Sequence, residues 1–293
     1  MKLRYESRGL HFYDRRTGYH VLLDDVAVPE KTWSKAPSVV SIALTNVCDL
    51  ACEFCYAPKS KHQLSQTELL QWCAELDTLG ALEVAFGGGE PTLYPNLPEL
   101  CRAIWKETKL GISITTHGHH LTADLIERLK GHVSNIRLSV DAPEPYYSEI
   151  RGRPLQRIHK VIDEIDNTIP ISINTVVNRR TLRHLDELAL LVEQWQVFDW
   201  LLLPETLDGQ FTLSPKEWER LSDIICVVQE RLHVSVTFDA RPYLNCAFLF
   251  DIEPLHDYVH ISADGRMRLC SYETGGLLLR NTTLSAALDE MFS

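Results

Sequence analysis

Three cysteines fall within eight residues, Cys48, Cys52 and Cys55, in the spacing Cys-x3-Cys-x2-Cys. Three thiolates on one tight loop can hold three irons of a four-iron, four-sulfur cluster and leave the fourth iron without a protein ligand. An open coordination position is where chemistry occurs, in contrast to the closed sites that serve structure. The triplet also admits a zinc site or three unrelated core cysteines. Structural zinc sites come as paired Cys-x2-Cys arms with four ligands, and this chain has no second Cys-x2-Cys. A second stretch, Gly87-Gly88-Gly89-Glu90-Pro91, joins glycines that let a backbone approach a ligand to a carboxylate that can accept from a cationic amine. A third, His117-Gly118-His119-His120, offers three imidazoles. No carboxylate partner at ligand spacing accompanies them. They read best as a turn meeting solvent or substrate, with His117 as a candidate substrate contact.

These residues need strands and helices to position them. The run Val39-Val40-Ser41-Ile42-Ala43-Leu44-Thr45 is apolar and β-branched, which predicts a short buried strand. The cysteines follow it, at the strand end where α/β folds carry ligands. Ser65 and Glu68 form a capping box, and Leu69, Trp72, Cys73, Leu76 and Leu79 repeat at helical spacing up to Gly80. Strand 82–86 then feeds the glycines. Helix 96–108 leads to strand 111–116 and the histidines. Helix 122–130 leads to strand 135–141, where Ser139 and Asp141 share one face by alternation. Strand 171–177 carries Asn174, and helix 181–194 precedes strand 200–203. Six β/α units are too few for a closed eight-stranded barrel. Cys73, Cys101 and Cys226 fall on apolar helix faces and are expected to be buried.

The flanks differ from this core. In residues 1–36, Leu10–Tyr13 and Tyr19–Leu23 flank a Gly-containing connection and predict a β-hairpin. A hairpin alone is marginal, so it must pack on something larger, either covering a substrate or shielding a barrel edge. In residues 206–293, a capped helix from Ser214 to about Leu232 precedes a strand at 234–238. After Cys246, a hairpin around Asp264-Gly265 ends at Cys270. The 293 residues are 45% hydrophobic and 24% charged, as in a globular protein. No run reaches the ~18 apolar residues of a membrane span, and the N-terminus does not read as a signal peptide. Eight cysteines in such a chain point to metal or redox use in the cytoplasm rather than to disulfides. The net charge of -11 argues against a nucleic-acid partner.

The triplet, with aromatic Phe54 just before its third cysteine, and Gly88-Gly89-Glu90-Pro91 one strand–helix–strand unit later resemble the radical S-adenosylmethionine (SAM) superfamily. The resemblance implies an α/β fold: a partial (β/α)6 TIM-like barrel over residues 37–205, with an N-terminal β-hairpin over 1–36 and a small α+β extension over 206–293. It implies a [4Fe-4S] cluster on Cys48, Cys52 and Cys55. It also implies SAM contacts, with Gly88, Gly89, Glu90 and Pro91 at the amino group, Ser139 and Asp141 at the ribose, and Arg151 at the carboxylate. Tyr56 and Asn174 complete that set. Many members carry Asn-Gly where this chain has His117-Gly118. The pattern Cys246…Gly265-x4-Cys270 looks like the first half of a SPASM or Twitch extension, but no cysteine follows Cys270. Two thiolates do not complete a second cluster, so none is expected unless Asp251, His256 or His260 contributes. Cys246 or Cys270 is then a candidate hydrogen-atom donor, or simply a buried thiol.

The implied activity is reductive cleavage of SAM to a 5′-deoxyadenosyl radical that takes hydrogen from a substrate, a peptide or protein first and a small metabolite or nucleotide second. An electron donor such as flavodoxin or ferredoxin is the implied partner. A protein that only binds or senses with an Fe–S or zinc site is the rival from another class. It would have no need of Gly88-Gly89-Glu90, Asp141 and Arg151 at successive strand ends.

Overall fold

The computed structural model describes residues 1–246, 258–273 and 275–292. Lys2–Glu6 (β1), Gly9–Asp14 (β2) and Tyr19–Leu23 (β3) form an antiparallel sheet in that order. β2 and β3 are the expected hairpin; β1 was not legible. Its alternation is inverted: Lys2, Arg4 and Glu6 are buried, while Leu3 and Tyr5 are exposed. The buried charges are partnered. Lys2 Nζ lies 2.5 Å from Asp77 Oδ1, and Arg4 donates to Glu6 (3.0 Å) and to the carbonyls of Ala36 and Gly80. Tyr13 donates to Glu83, and Arg15 to the carbonyl of Thr108. These partners lie just before or at the N-terminal ends of the strands described next. The sheet therefore packs at the end of the barrel opposite the cysteine loop.

The six expected core strands are Val39–Thr45 (β4), Glu83–Gly88 (β5), Gly111–Thr116 (β6), Asn135–Ser139 (β7), Ile171–Val177 (β8) and Asp199–Pro204 (β9). Thr206–Leu207 (β10) and Gln210–Phe211 (β11) make a small hairpin. Val234–Val236 (β12), Tyr258–Ile261 (β13), Arg266–Arg268 (β14) and Leu277–Leu278 (β15) extend the main sheet, whose order is β12-β9-β8-β7-β6-β5-β4-β13-β14-β15. β12 pairs parallel with β9 and β13 parallel with β4, so residues after 205 extend the core sheet at both edges. Nothing local in Val234-Ser235-Val236 announces which strand it joins. β13 and β14 form the expected Asp264-Gly265 hairpin.

The helices are Gln66–Thr78 (α1), Leu97–Glu107 (α2), Ala123–Leu129 (α3), Tyr146–Arg151 (α4), Gln156–Ile165 (α5), Leu185–Gln194 (α6), Pro215–Val228 (α7) and Leu284–Phe292 (α8). The Ser65–Glu68 capping box opens α1 as its sequence requires. α4, α5 and α8 were not read from the sequence. Leu69, Trp72 and Leu76 of α1 and Leu100 and Ile104 of α2 pack with Val84, Phe86, Ile112 and Ile114 into one core. Cys73 and Cys101 lie in it, fully buried, and burial pushes the Cys73 thiol up to about 12. Cys226 is only partly buried, which corrects its expected place in the core. Among the described residues no helix is long and apolar enough to cross a membrane.

Candidate functional site

The cysteine loop leaves the C-terminal end of β4 and is held against the end of β5. Gly89 N–H donates to Thr45 O (2.6 Å) and Glu90 N–H to Val47 O (2.8 Å). A Cβ on Gly88 would stand 2.3 Å from Thr45 O, and one on Gly89 2.3 Å from Val47 O. Gly88 also has φ +119°, which favours glycine. These two glycines therefore admit the backbone that leads into the cysteines, where the sequence suggested they admit a ligand. A Cβ on Gly87 would meet nothing within 4 Å, so Gly87 is the glycine that faces open space.

The three thiols are all partly exposed. Leu50 N–H donates to Cys48 Sγ (3.4 Å), and Arg151 Nη1 donates to Cys52 Sγ (3.6 Å). Burial pushes both thiols up, and the Arg151 guanidinium pulls Cys52 back. An N–H and a guanidinium aimed at sulfur suit thiolate ligands. Three such sulfurs on one loop fit a cluster with one open iron.

Asp49, which sequence reasoning missed, ties the loop to the rest of the site. His117 Nε2 lies 3.0 Å from its Oδ1, His120 Nε2 3.1 Å from its Oδ2, and Arg153 donates to Oδ2 (3.1 Å). Burial alone would raise this carboxyl, but the histidine hydrogen bonds bring it down to about 2. So the histidine turn does have a carboxylate partner, 68 residues away in sequence. Cys48 Sγ, Asp49 and His117 offer ligand atoms all within 4.8 Å of one another. His119 is bonded to Tyr147 OH (3.0 Å), and burial lowers it to about 4.

Glu90 is buried, and its lone pairs are already engaged. Oε1 accepts from Thr92 N–H (3.0 Å) and from the hydroxyls of Thr92 and Thr116, and Oε2 accepts from His117 N–H (3.0 Å). Asp141, just past β7, is fully buried; its Oδ1 accepts from Val176 N–H and its Oδ2 from Arg151 Nε (2.6 Å). Asp141 and Arg151, expected at separate points of SAM, thus stand together. Arg151 also lies over the Phe54 ring, 5.5 Å from its centroid. Asn174 Oδ1 accepts from Arg137 (3.2 Å) on the neighbouring strand, and Ser139 faces Asn174 in the β7–β8 register. Tyr56 packs edge-on against Tyr272, 5.2 Å between centroids.

A cavity of about 470 Å³ adjoins the loop, lined among others by Glu53, Phe54, Asn178, Arg179, Arg180 and Glu205. In the tail, burial and the adjacent Cys226 push Cys246 up to about 11. Cys270 is half-buried at the end of the β13–β14 hairpin. His260 is buried with Nδ1 3.0 Å from Ser41 Oγ. Asp251 and His256 lie outside the described residues.

The chain is 33% identical over 164 residues to a GTP 3′,8-cyclase of Chlorobaculum tepidum, covering 53% of this chain and 48% of the cyclase. It thus spans about half the length of that relative. It is 30% identical over 205 residues to an S-adenosylmethionine-dependent nucleotide dehydratase of Flammeovirga pacifica, covering 61% and 69%. Its fold matches Streptococcus suis SuiB bound to S-adenosylmethionine with TM-score 0.75 at 15% identity, over 100% of this chain and 87% of that one. It also matches native anSMEcpe with bound AdoMet and a Cp18Cys peptide with TM-score 0.64 at 19% identity, over 86% and 80%. Residues 42–192, which contain the cysteine loop, Glu90, Asp141 and Arg151, match the model of the Radical SAM superfamily, and the chain belongs to that superfamily of enzymes that use a [4Fe-4S] cluster and SAM.

Proposed function

We propose that Cys48, Cys52 and Cys55 hold the cluster, that SAM lies between Gly87, Glu90, Asp141 and Arg151, and that the substrate is a peptide or protein whose side chain enters the cavity beside Phe54. When bound, the cluster and SAM supply reductive cleavage of the sulfonium and a 5′-deoxyadenosyl radical that abstracts hydrogen. The chain's own part is to orient the reactants and exclude water. Arg151, anchored by buried Asp141, presents a planar guanidinium suited to a carboxylate. Residues 206–293 act as a SPASM/Twitch-like extension without a complete second cluster.

The observation that carries the peptide reading is the charge balance of the cavity. Arg179 is paired with Glu217 (2.9 Å) and Arg180 with Glu149 (3.0 Å), while Glu53 and Glu205 face the same space. Two compensated arginines opposite two glutamates leave little for a polyphosphate, which needs surplus cation. Mixed donors and acceptors suit peptide amides and side chains. A nucleotide is the second reading, favoured by the names of the cyclase and dehydratase relatives. The test is anaerobic incubation of reconstituted enzyme with reductant and SAM, plus either peptides encoded near its gene or the nucleoside triphosphates. Mass spectrometry then follows 5′-deoxyadenosine and substrate mass. Peptide-dependent turnover is expected. Turnover with a triphosphate and none with peptides moves the assignment to nucleotides.

A further inference from the structure

We propose that His117 is a positioning residue that clamps the cysteine loop onto the glycine–glutamate turn. The proposal rests on the cluster reading above and extends it to a residue outside the thiolate triplet. His117 sits at the end of β6, between the two segments, and is almost completely buried. Its Nδ1 accepts the backbone N–H of His119 (3.1 Å), so a proton must sit on Nε2. Nε2 faces Asp49 Oδ1 at 3.0 Å and Glu90 Oε2 at 3.3 Å. Asp49 follows Cys48 directly, and Glu90 closes the glycine turn. His117 therefore bridges the loop that carries the cluster ligands, through Nε2 to Asp49, and the turn on which SAM is placed, through its backbone N–H to Glu90 Oε2 (3.0 Å).

The loop has need of such a brace. Across residues 48–55 it forms no helix or strand, and its internal backbone hydrogen bond is Cys55 N–H to Cys52 O (3.2 Å). Its position is therefore set largely by side chains, of which Asp49 is the most heavily bonded. Groups that orient metal ligands without touching the metal change metal affinity by roughly 10- to 100-fold when removed, and His117 acts one step further out, on the residue that follows Cys48.

The test uses the full chain, reconstituted anaerobically, as wild type, His117→Ala, Asp49→Ala, the double variant, and His117→Gln, whose amide N–H can still donate. The readouts are iron content, the rate of iron loss to a chelator, and the EPR spectrum of the reduced cluster with and without SAM. Expected are iron loss faster by ~10-fold in each alanine variant and altered g-values on SAM addition. Little further change is expected in the double variant, with partial recovery in His117→Gln. Wild-type chelation rate and spectra in His117→Ala overturn the inference alone, as do single effects that multiply in the double variant. A wild-type chain that takes up no iron overturns both the inference and the cluster reading.

Discussion

The two ends of this barrel each hold a carboxylate pulled down to about 2, and only one of them stands beside the cysteine triplet. At the closed end, burial would raise Glu6, but hydrogen bonds from His11 and Arg8 and the charge of Arg4 hold it down. At the open end, Asp49 is held by His117 and His120. The shifts are alike. The surroundings differ: Glu6 is sealed on the buried face of β1 among ion pairs, while Asp49 stands next to Cys48 beside thiols and within reach of solvent. A perturbed carboxyl is thus a mark of organised charge, and only the neighbouring chemistry turns it into evidence of a site.

The sharpest way to break the comparison is at the open end. Changing Cys48, Cys52 and Cys55 together to Ala is expected to abolish SAM cleavage and remove about four irons per chain, with the fold retained by circular dichroism. Full SAM cleavage in that variant contradicts the assignment. At the closed end the matching change is Glu6→Ala, which leaves Arg4 and His11 buried without their carboxylate. The expected cost is ~3–5 kcal/mol of stability by denaturant unfolding, with iron per folded chain unchanged. Iron loss from that variant, without a loss of stability, erases the distinction between the two ends.

Acid sharpens the same contrast. Glu6 has a folded pKa of about 2 against 4.5 as the ordinary value. A depressed carboxyl contributes stability above its unfolded pKa, and that contribution fades as pH falls from about 4.5 towards 2. Stability of the wild type is expected to fall across that window more steeply than that of Glu6→Gln. Parallel pH curves for the two proteins remove Glu6 from the account. A smaller effect is expected from Arg151→Ala, which takes away the proposed charge-assisted contact to SAM. Binding per loaded cluster weakens by ~1.5–3 kcal/mol, roughly 10- to 100-fold. Unchanged SAM affinity by calorimetry places the carboxylate elsewhere.

The sequence made the core strands legible because β4 to β9 run through a sheet rich in buried apolar residues, and such runs stand out. It made the cysteine triplet and the glycine turn legible because their spacing is local. It could not show that Gly88 admits the β4 backbone and Gly89 the segment that follows it, since that depends on the register of β4 against β5. It could not pair His117 with Asp49 for the same reason. Cys226 was read as core from its helix face, but α7 packs so that this thiol is left beside Cys246. β1 was missed because the rule that apolar residues face inward fails there.

That inversion yields the last and smallest prediction. Leu3 and Tyr5 of β1 pair with Phe12 and Leu10 of β2, and these in turn with Val21 and Leu23 of β3, so one face of the sheet is apolar and turned outward. Val21 is 54% exposed and Leu23 43%. Residues that already meet water lose little when made polar, and surface changes of this kind stay within about 0.5 kcal/mol. Val21→Thr, which keeps the β-branch that strands favour, is therefore expected to leave the unfolding midpoint almost unmoved. The buried charges of the same sheet, one residue away in the alternation, behave as Glu6→Ala above. If Val21→Thr instead costs more than about 1 kcal/mol, beyond the range for exposed positions, the outer face is packed in solution and the closed end is not held by its ion pairs alone.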